Sequence, residues 1–155
     1  MKSCFFIGHR ETPDAVLPLL RETVNRHIEC YGVTEFIVGH YGNFDYLAAK
    51  AIITAKQLYP EITLSLLIPY HPAERPIKKP KGFANTYYPP RMEDVPRKLA
   101  IVRANRYMVD HVDFLIAYAW HPASNARELV EYAEKKMEKG VIQVTNLAPL
   151  HRGTL

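Results

Sequence analysis

Short apolar runs ending in or near glycine alternate along this chain with longer stretches of helical period. Residues 3–7 (Ser-Cys-Phe-Phe-Ile) lead into Gly8, residues 35–38 (Glu-Phe-Ile-Val) stop at Gly39, and 62–68 form a third run. Runs of this length with apolar residues at successive positions suit strands buried on both faces, as in a parallel sheet. Between them lie amphipathic segments. The spacing predicts a helix that starts between Asp14 and Leu17, because Pro18 is tolerated only near a helix start, and that runs to Tyr31-Gly32. It predicts a second helix in which Phe44, Leu47, Ala48, Ala51, Ile52, Ala55 and Leu58 form one apolar face ended by Pro60.

From 69 to 96 the pattern breaks, and seven of the twelve prolines fall there. A loop of this length in a compact domain is often functional. Regularity resumes with a helix near 96–110, a strand near 114–119, a helix near 124–139 stopped by Gly140, and a strand near 141–144. Strands alternating with helices imply an α/β fold: a mostly parallel, doubly wound sheet of about five strands, with helices on both faces making three layers. One domain over 1–146, carrying the 69–96 loop, and a loose tail over 147–155 are expected from a chain of 155 residues.

In such sheets ligands bind beyond the carboxyl ends of the strands. Three strand-to-helix junctions would meet along that edge: Gly8-His9-Arg10, then Gly39-His40-Tyr41-Gly42-Asn43-Phe44-Asp45, then Trp120-His121-Pro122-Ala123-Ser124-Asn125-Ala126. Exposed N–H groups at a helix start, aided by the helix dipole, favour an anion, typically a phosphate. Gly39 and Gly42 allow close backbone approach, or serve only as turn residues. Arg10 either grips a phosphate or joins a salt bridge. Asn43 is a candidate N-cap, and Asp45 either complements the helix dipole or accepts from a sugar hydroxyl. Asn105 falls beside the buried stripe of Ile101, Ala104 and Met108, so its amide needs a partner in the protein or in a ligand.

The charged fraction is 23%, the hydrophobic fraction 48% and the formal charge +4, which argues against disorder and leaves a phosphate-bearing ligand open. No apolar run nears the ~18 residues of a membrane span, and the apolar start is too short for an export signal. Two cysteines, Cys4 and Cys30, build no disulfide framework. A cytoplasmic protein is expected. There is no G-x-S-x-G elbow, no Walker A loop and no H-E-x-x-H. No metal is expected from His9, His40 and His121, and no required cofactor. The Lys78-Lys79-Pro80-Lys81 run reads as a solvated lid or a subunit surface, or as a contact to nucleic acid.

Three segments together carry a resemblance: Cys4-Phe5-Phe6-Ile7-Gly8-His9-Arg10, Val38-Gly39-His40-Tyr41-Gly42-Asn43-Phe44-Asp45 and Asn105-Arg106-Tyr107-Met108-Val109-Asp110. Over 4–144 the chain resembles the SLOG superfamily, which joins DprA-like proteins and LOG-type phosphoribohydrolases, and within it the short YpsA-like bacterial branch. The resemblance implies a Rossmann-like fold that binds a nucleotide or nucleotide-derived ligand, as a sensor or carrier. It implies ligand contacts from Gly8, His9, Arg10, Gly39, His40, Gly42, Asn43, Asp45, Asn105, Ser124 and Asn125. Ser124-Asn125-Ala126 stands where the family has a Gly-Gly-Thr-type turn, leaving side-chain donors in place of glycine backbone. If the ligand is cleaved, the resemblance makes Glu128 the candidate catalytic residue of a nucleoside 5'-monophosphate phosphoribohydrolase. DprA-like single-stranded DNA binding is a third reading, disfavoured by the small charge and the lack of further domains. Self-association into a homo-oligomer is also implied.

Overall fold

The computed structural model describes residues 1–153, with side chains described through residue 151. Its strands are β1 (Lys2–Gly8), β2 (Val33–Val38), β3 (Thr63–Leu67), β4 (Asn85–Tyr87), β5 (Phe114–Tyr118) and β6 (Gln143–Asn146). Its helices are α1 (Leu17–Tyr31), α2 (Asn43–Leu58), α3 (Ala100–His111), α4 (Asn125–Glu138) and α5 (Leu147–Gly153). All strand pairs are parallel and the order is β4-β3-β2-β1-β5-β6, a Rossmann-like α/β fold. Among the described residues no helix is long and apolar enough to cross a membrane.

The apolar runs have their reason in the layers. Successive side chains of a strand point to opposite faces. Cys4 and Phe6 of β1 pack with Leu20 of α1 and with Phe44 and Leu47 of α2. Phe5, between them, packs on the other face with Ala104 of α3 and Val130 of α4. A strand covered on both sides has no position where a polar residue is free of cost.

Helix boundaries follow local chemistry. Residues Asp14–Val16 make a 3-10 turn, and Pro18 lies in the first turn of α1, where it lacks no needed hydrogen bond. Gly32 ends α1 at φ 71°, its N–H reaching the carbonyl of Ile28. The face expected on α2 is buried from Phe44 through Ala55, but Leu58 is 74% exposed. A 16-residue helix is ~24 Å long and a five-residue strand ~17 Å, so the last turn overruns the sheet.

Three expectations need correction. The sheet has six strands, because β4 forms inside the 69–96 loop. It lies on the edge beside β3, held by Ala84 N–H to Leu64 O (2.8 Å) and Ile68 N–H to Tyr87 O (2.9 Å). The helix expected near 96 begins as a 3-10 turn, Arg97–Leu99, and becomes α3 only at Ala100. The segment after Asn146, expected to be loose, forms α5 with Leu147 and Ala148 fully buried against the α1–α2 layer; residues 154–155 lie outside the described residues. Two apolar residues docked on a core outweigh the absence of helical length.

From β1 the chain winds outward through β2, β3 and β4, then returns to β5 on the other side of β1. The loops leaving β1 and β5 therefore diverge to opposite faces. The crevice between them opens at the carboxyl edge of the sheet.

Candidate functional site

A cavity of about 250 Å³ occupies that crevice. Its walls come from five places: Gly8, His9 and Arg10 after β1; Gly39, Tyr41 and Asp45 after β2; Leu67 and Pro69 after β3; Ile101, Ala104 and Asn105 of α3; and Ser124, Asn125 and Ala126 at the start of α4. Eight of the eleven expected ligand contacts line it, so segments up to about 115 residues apart meet as the junction reading requires.

The first junction is shaped by packing. A Cβ on Gly8 would lie 2.4 Å from the ring of Phe44, so only glycine lets α2 pack against this strand end. His9 Nε2 accepts the N–H groups of Trp120 (2.9 Å) and His121 (3.3 Å), tying the first junction to the third. Two donors on Nε2 place the proton of the neutral ring on Nδ1. Burial, reinforced by nearby His121, holds His9 below the usual histidine range, in keeping with an acceptor role.

Arg10 has an exposed side chain and lines the cavity. Among the described residues it forms no ion pair. Its backbone is pinned: Arg10 O accepts Asn43 N–H (2.8 Å), and a Cβ on Gly42 would stand 2.5 Å from Arg10 Cα. Gly42 sits at φ 125°, ψ −178°, a region open essentially to glycine alone.

Asn43 is not the N-cap of α2; that place belongs to Gly42. Its Nδ2 instead donates to Thr12 O (2.6 Å) and Asp14 Oδ1 (2.8 Å), bracing the second junction against the first. Neither Gly42 nor Asn43 lines the cavity. Both were expected to touch ligand and both act as supports for the loop that bears Arg10. His40 also stays out of this cavity, its ring stacked on Tyr41 at 4.4 Å.

Asp45 does line the cavity. Its Oδ2 accepts the N–H of Tyr41 (3.1 Å), and a Cβ on Gly39 would come within 2.9 Å of that oxygen. Loss of water around the carboxyl raises its pKa from 3.8 to about 6, against the opposing pull of the Tyr41 N–H. The carboxyl is closed in by protein on most sides, and a partial opening to the cavity remains.

At the third junction Ser124 is the N-cap of α4. Its Oγ accepts Arg127 N–H (3.1 Å) and donates to His121 O (2.9 Å). Asn125 and Ala126 line the cavity, and their N–H groups precede the first intrahelical bond. Asn105, half-buried on α3, has no side-chain hydrogen bond among the described residues and lines the same space. Glu128 is exposed one turn along α4 and does not line the cavity, so the position offered as catalytic is outside it. Among the described residues no three His, Cys, Asp or Glu side chains gather as a metal site.

Phe5, Phe6 and Ile7 of β1, with Tyr41, Leu67, Pro69 and Ile101, complete the wall, and none was singled out from sequence as a ligand contact. Ile101 was legible, since it shares a helical stripe with Ala104 and stands four residues before Asn105. Tyr41 acts through its backbone N–H, which no side-chain pattern reveals. The arrangement is polarised: Arg10 and the open start of α4 favour an anion, while Asp45 accepts from a hydroxyl. No family model matches the sequence, and the search of curated proteins finds no match.

Proposed function

We propose that this cavity binds a phosphorylated, nucleotide-type small molecule, and that the chain is a SLOG-superfamily sensor or carrier. One observation carries the reading: an arginine and an amide that have no side-chain partner among the described residues, the start of a helix and a half-closed carboxyl all border one cavity at the topological switch. In this reading the phosphate lies on Arg10 and the first turn of α4. A ribose hydroxyl donates to Asp45, whose charge keeps the phosphate on the Arg10 side. Asn105 supplies one further hydrogen bond.

Calorimetric titration with AMP tests it. Arg10→Ala removes a charge-assisted bond worth about 1.5–3 kcal/mol, so Kd rises roughly 10- to 150-fold. Equal affinity in the two proteins refutes the assignment. Mass spectrometry of small molecules released from the purified protein on denaturation identifies the natural ligand class.

Asp45 favours a second reading, N-glycosidic hydrolysis of the bound monophosphate. A carboxyl near pKa 6 inside the cavity suits general acid work, and Glu128 does not line the cavity. Free adenine released from AMP, and lost in Asp45→Asn, supports it; no release ends it. Self-association belongs to the same proposal, with Leu99 (44%) and Val102 (47%) exposed on or beside α3. Light scattering at micromolar concentration decides it.

A further inference from the structure

Tyr41 and Pro69 belong to the walls of two spaces. These two residues also line a neighbouring groove of about 300 Å³, bordered by Ile68, Tyr70, Arg75 and Ile77. The cavity alone falls below the ~300–1,000 Å³ of small-molecule sites, so a whole nucleotide needs neighbouring space. We propose that the groove holds the base of the nucleotide whose phosphate the cavity takes; this rests on the reading above.

The two compartments differ in chemistry. The cavity offers N–H donors and a carboxyl. The groove offers ring and aliphatic surface from Tyr41, Tyr70, Ile68 and Ile77, with His40 also in its lining, and no carboxylate borders it. The guanidinium carbon of Arg75 lies over the ring of Tyr70, 4.0 Å from its centroid, and Arg75 makes no ion pair among the described residues. A nucleobase stacks on either kind of plane, whatever its hydrogen-bonding pattern.

A second phosphate suits the groove less well. Phosphate recognition away from a helix start needs several converging N–H groups. The turn that carries Arg75 has spent its own: the N–H groups of Glu74 and Arg75 both bond to His71 O (2.9 Å each), and that of Ala73 to His71 Nδ1 (3.0 Å). The Arg75 guanidinium and the His40 ring remain, too few to encircle a phosphate. The walls are also set in advance. Ile68 N–H bonds to Tyr87 O of β4, and Tyr70 OH donates to Arg97 O (3.3 Å). The base therefore meets a surface that needs little ordering.

The test compares AMP with ribose 5-phosphate by calorimetry, in the parent and in Tyr70→Ala, Tyr70→Phe and Arg75→Ala, with circular dichroism as the check on folding. The parent is expected to bind AMP at least ~10-fold more tightly than ribose 5-phosphate, the scale of one stacked base. Tyr70→Ala and Arg75→Ala shrink that ratio and leave ribose 5-phosphate affinity unchanged. Tyr70→Phe keeps the ring, loses only the bond to Arg97 and retains the ratio. Equal affinity for the two compounds, both still dependent on Arg10, overturns the groove assignment and leaves the cavity reading standing. An AMP preference untouched by Tyr70→Ala and Arg75→Ala also overturns it. Failure of both compounds to bind at millimolar concentration overturns both.

Discussion

Gly42→Ala is expected to damage this protein far more than loss of a loop glycine ordinarily does. Gly42 holds φ 125° and ψ −178°, and forcing alanine there costs about 1–3 kcal/mol in backbone strain. The new Cβ would also stand 2.5 Å from Arg10 Cα, a backbone atom that cannot swing aside. The two junctions must part. Parting them breaks Asn43 N–H to Arg10 O and loosens Asn43 Nδ2 to Thr12 O, each worth about 1 kcal/mol. The expected loss is about 3–5 kcal/mol, read as a lower urea midpoint at constant m. Gly140→Ala is the control. Gly140 has φ 73° with nothing within 4 Å of an added Cβ, so about 1 kcal/mol of strain is the whole effect. Because Arg10 moves with its backbone, AMP affinity should fall in Gly42→Ala and stay at the parent value in Gly140→Ala. A Gly42→Ala stability loss within 0.5 kcal/mol of the ~1 kcal/mol control refutes the close approach of the two junctions.

Asp45→Asn tests the enclosed carboxyl. With a folded pKa near 6 against 3.8 free, the native state binds the proton more tightly, so stability declines as pH rises from about 4 to 6, by at most about 3 kcal/mol. The amide still accepts Tyr41 N–H, so the variant should flatten that slope and be more stable at pH 7.5; an unchanged slope in pH-dependent urea titrations sinks the assignment. His9→Ala removes an acceptor shared by two amides and should cost about 1 kcal/mol at pH 7.5. Since its pKa is depressed, His9 contributes fully above about 6.5 and loses that contribution as pH falls; an unaltered urea midpoint at pH 7.5 argues against the tie. Leu147→Ala should cost about 2–4 kcal/mol if α5 is docked as described, and near nothing if the segment is loose, which thermal melting distinguishes.

How far the sequence could be read depended on the range of the interactions involved. The face of α2 from Phe44 to Ala55 was legible because burial on one side imposes a 3.6-residue period on neighbouring positions. The stop of α1 at Gly32 was legible because only glycine takes that φ at no cost. Strand β4 was not: Asn85-Thr86-Tyr87 carries no period of its own and becomes a strand through bonds to β3. Helix α5 escaped notice because Leu147 and Ala148 are too few to show a stripe.

The candidate site divides the same way. That Gly8, Arg10, Gly39, Asp45 and Ser124 would gather at one edge followed from strand–helix alternation, since parallel strands bring every such junction to the same end. Which of them face the cavity did not follow. Asn43 and Arg10 are both polar residues at a strand-to-helix junction, yet one braces Thr12 and the other stands open. Chain order and periodicity, which are local, set the strands, the helices and the common edge of the junctions. Contacts between residues as distant as Asn43 and Thr12, 31 positions apart, or Trp120 and His9, 111 apart, set the orientation of each side chain. Such contacts exist only once the sheet has assembled, because a hydrogen bond across that separation has no local trace in either segment.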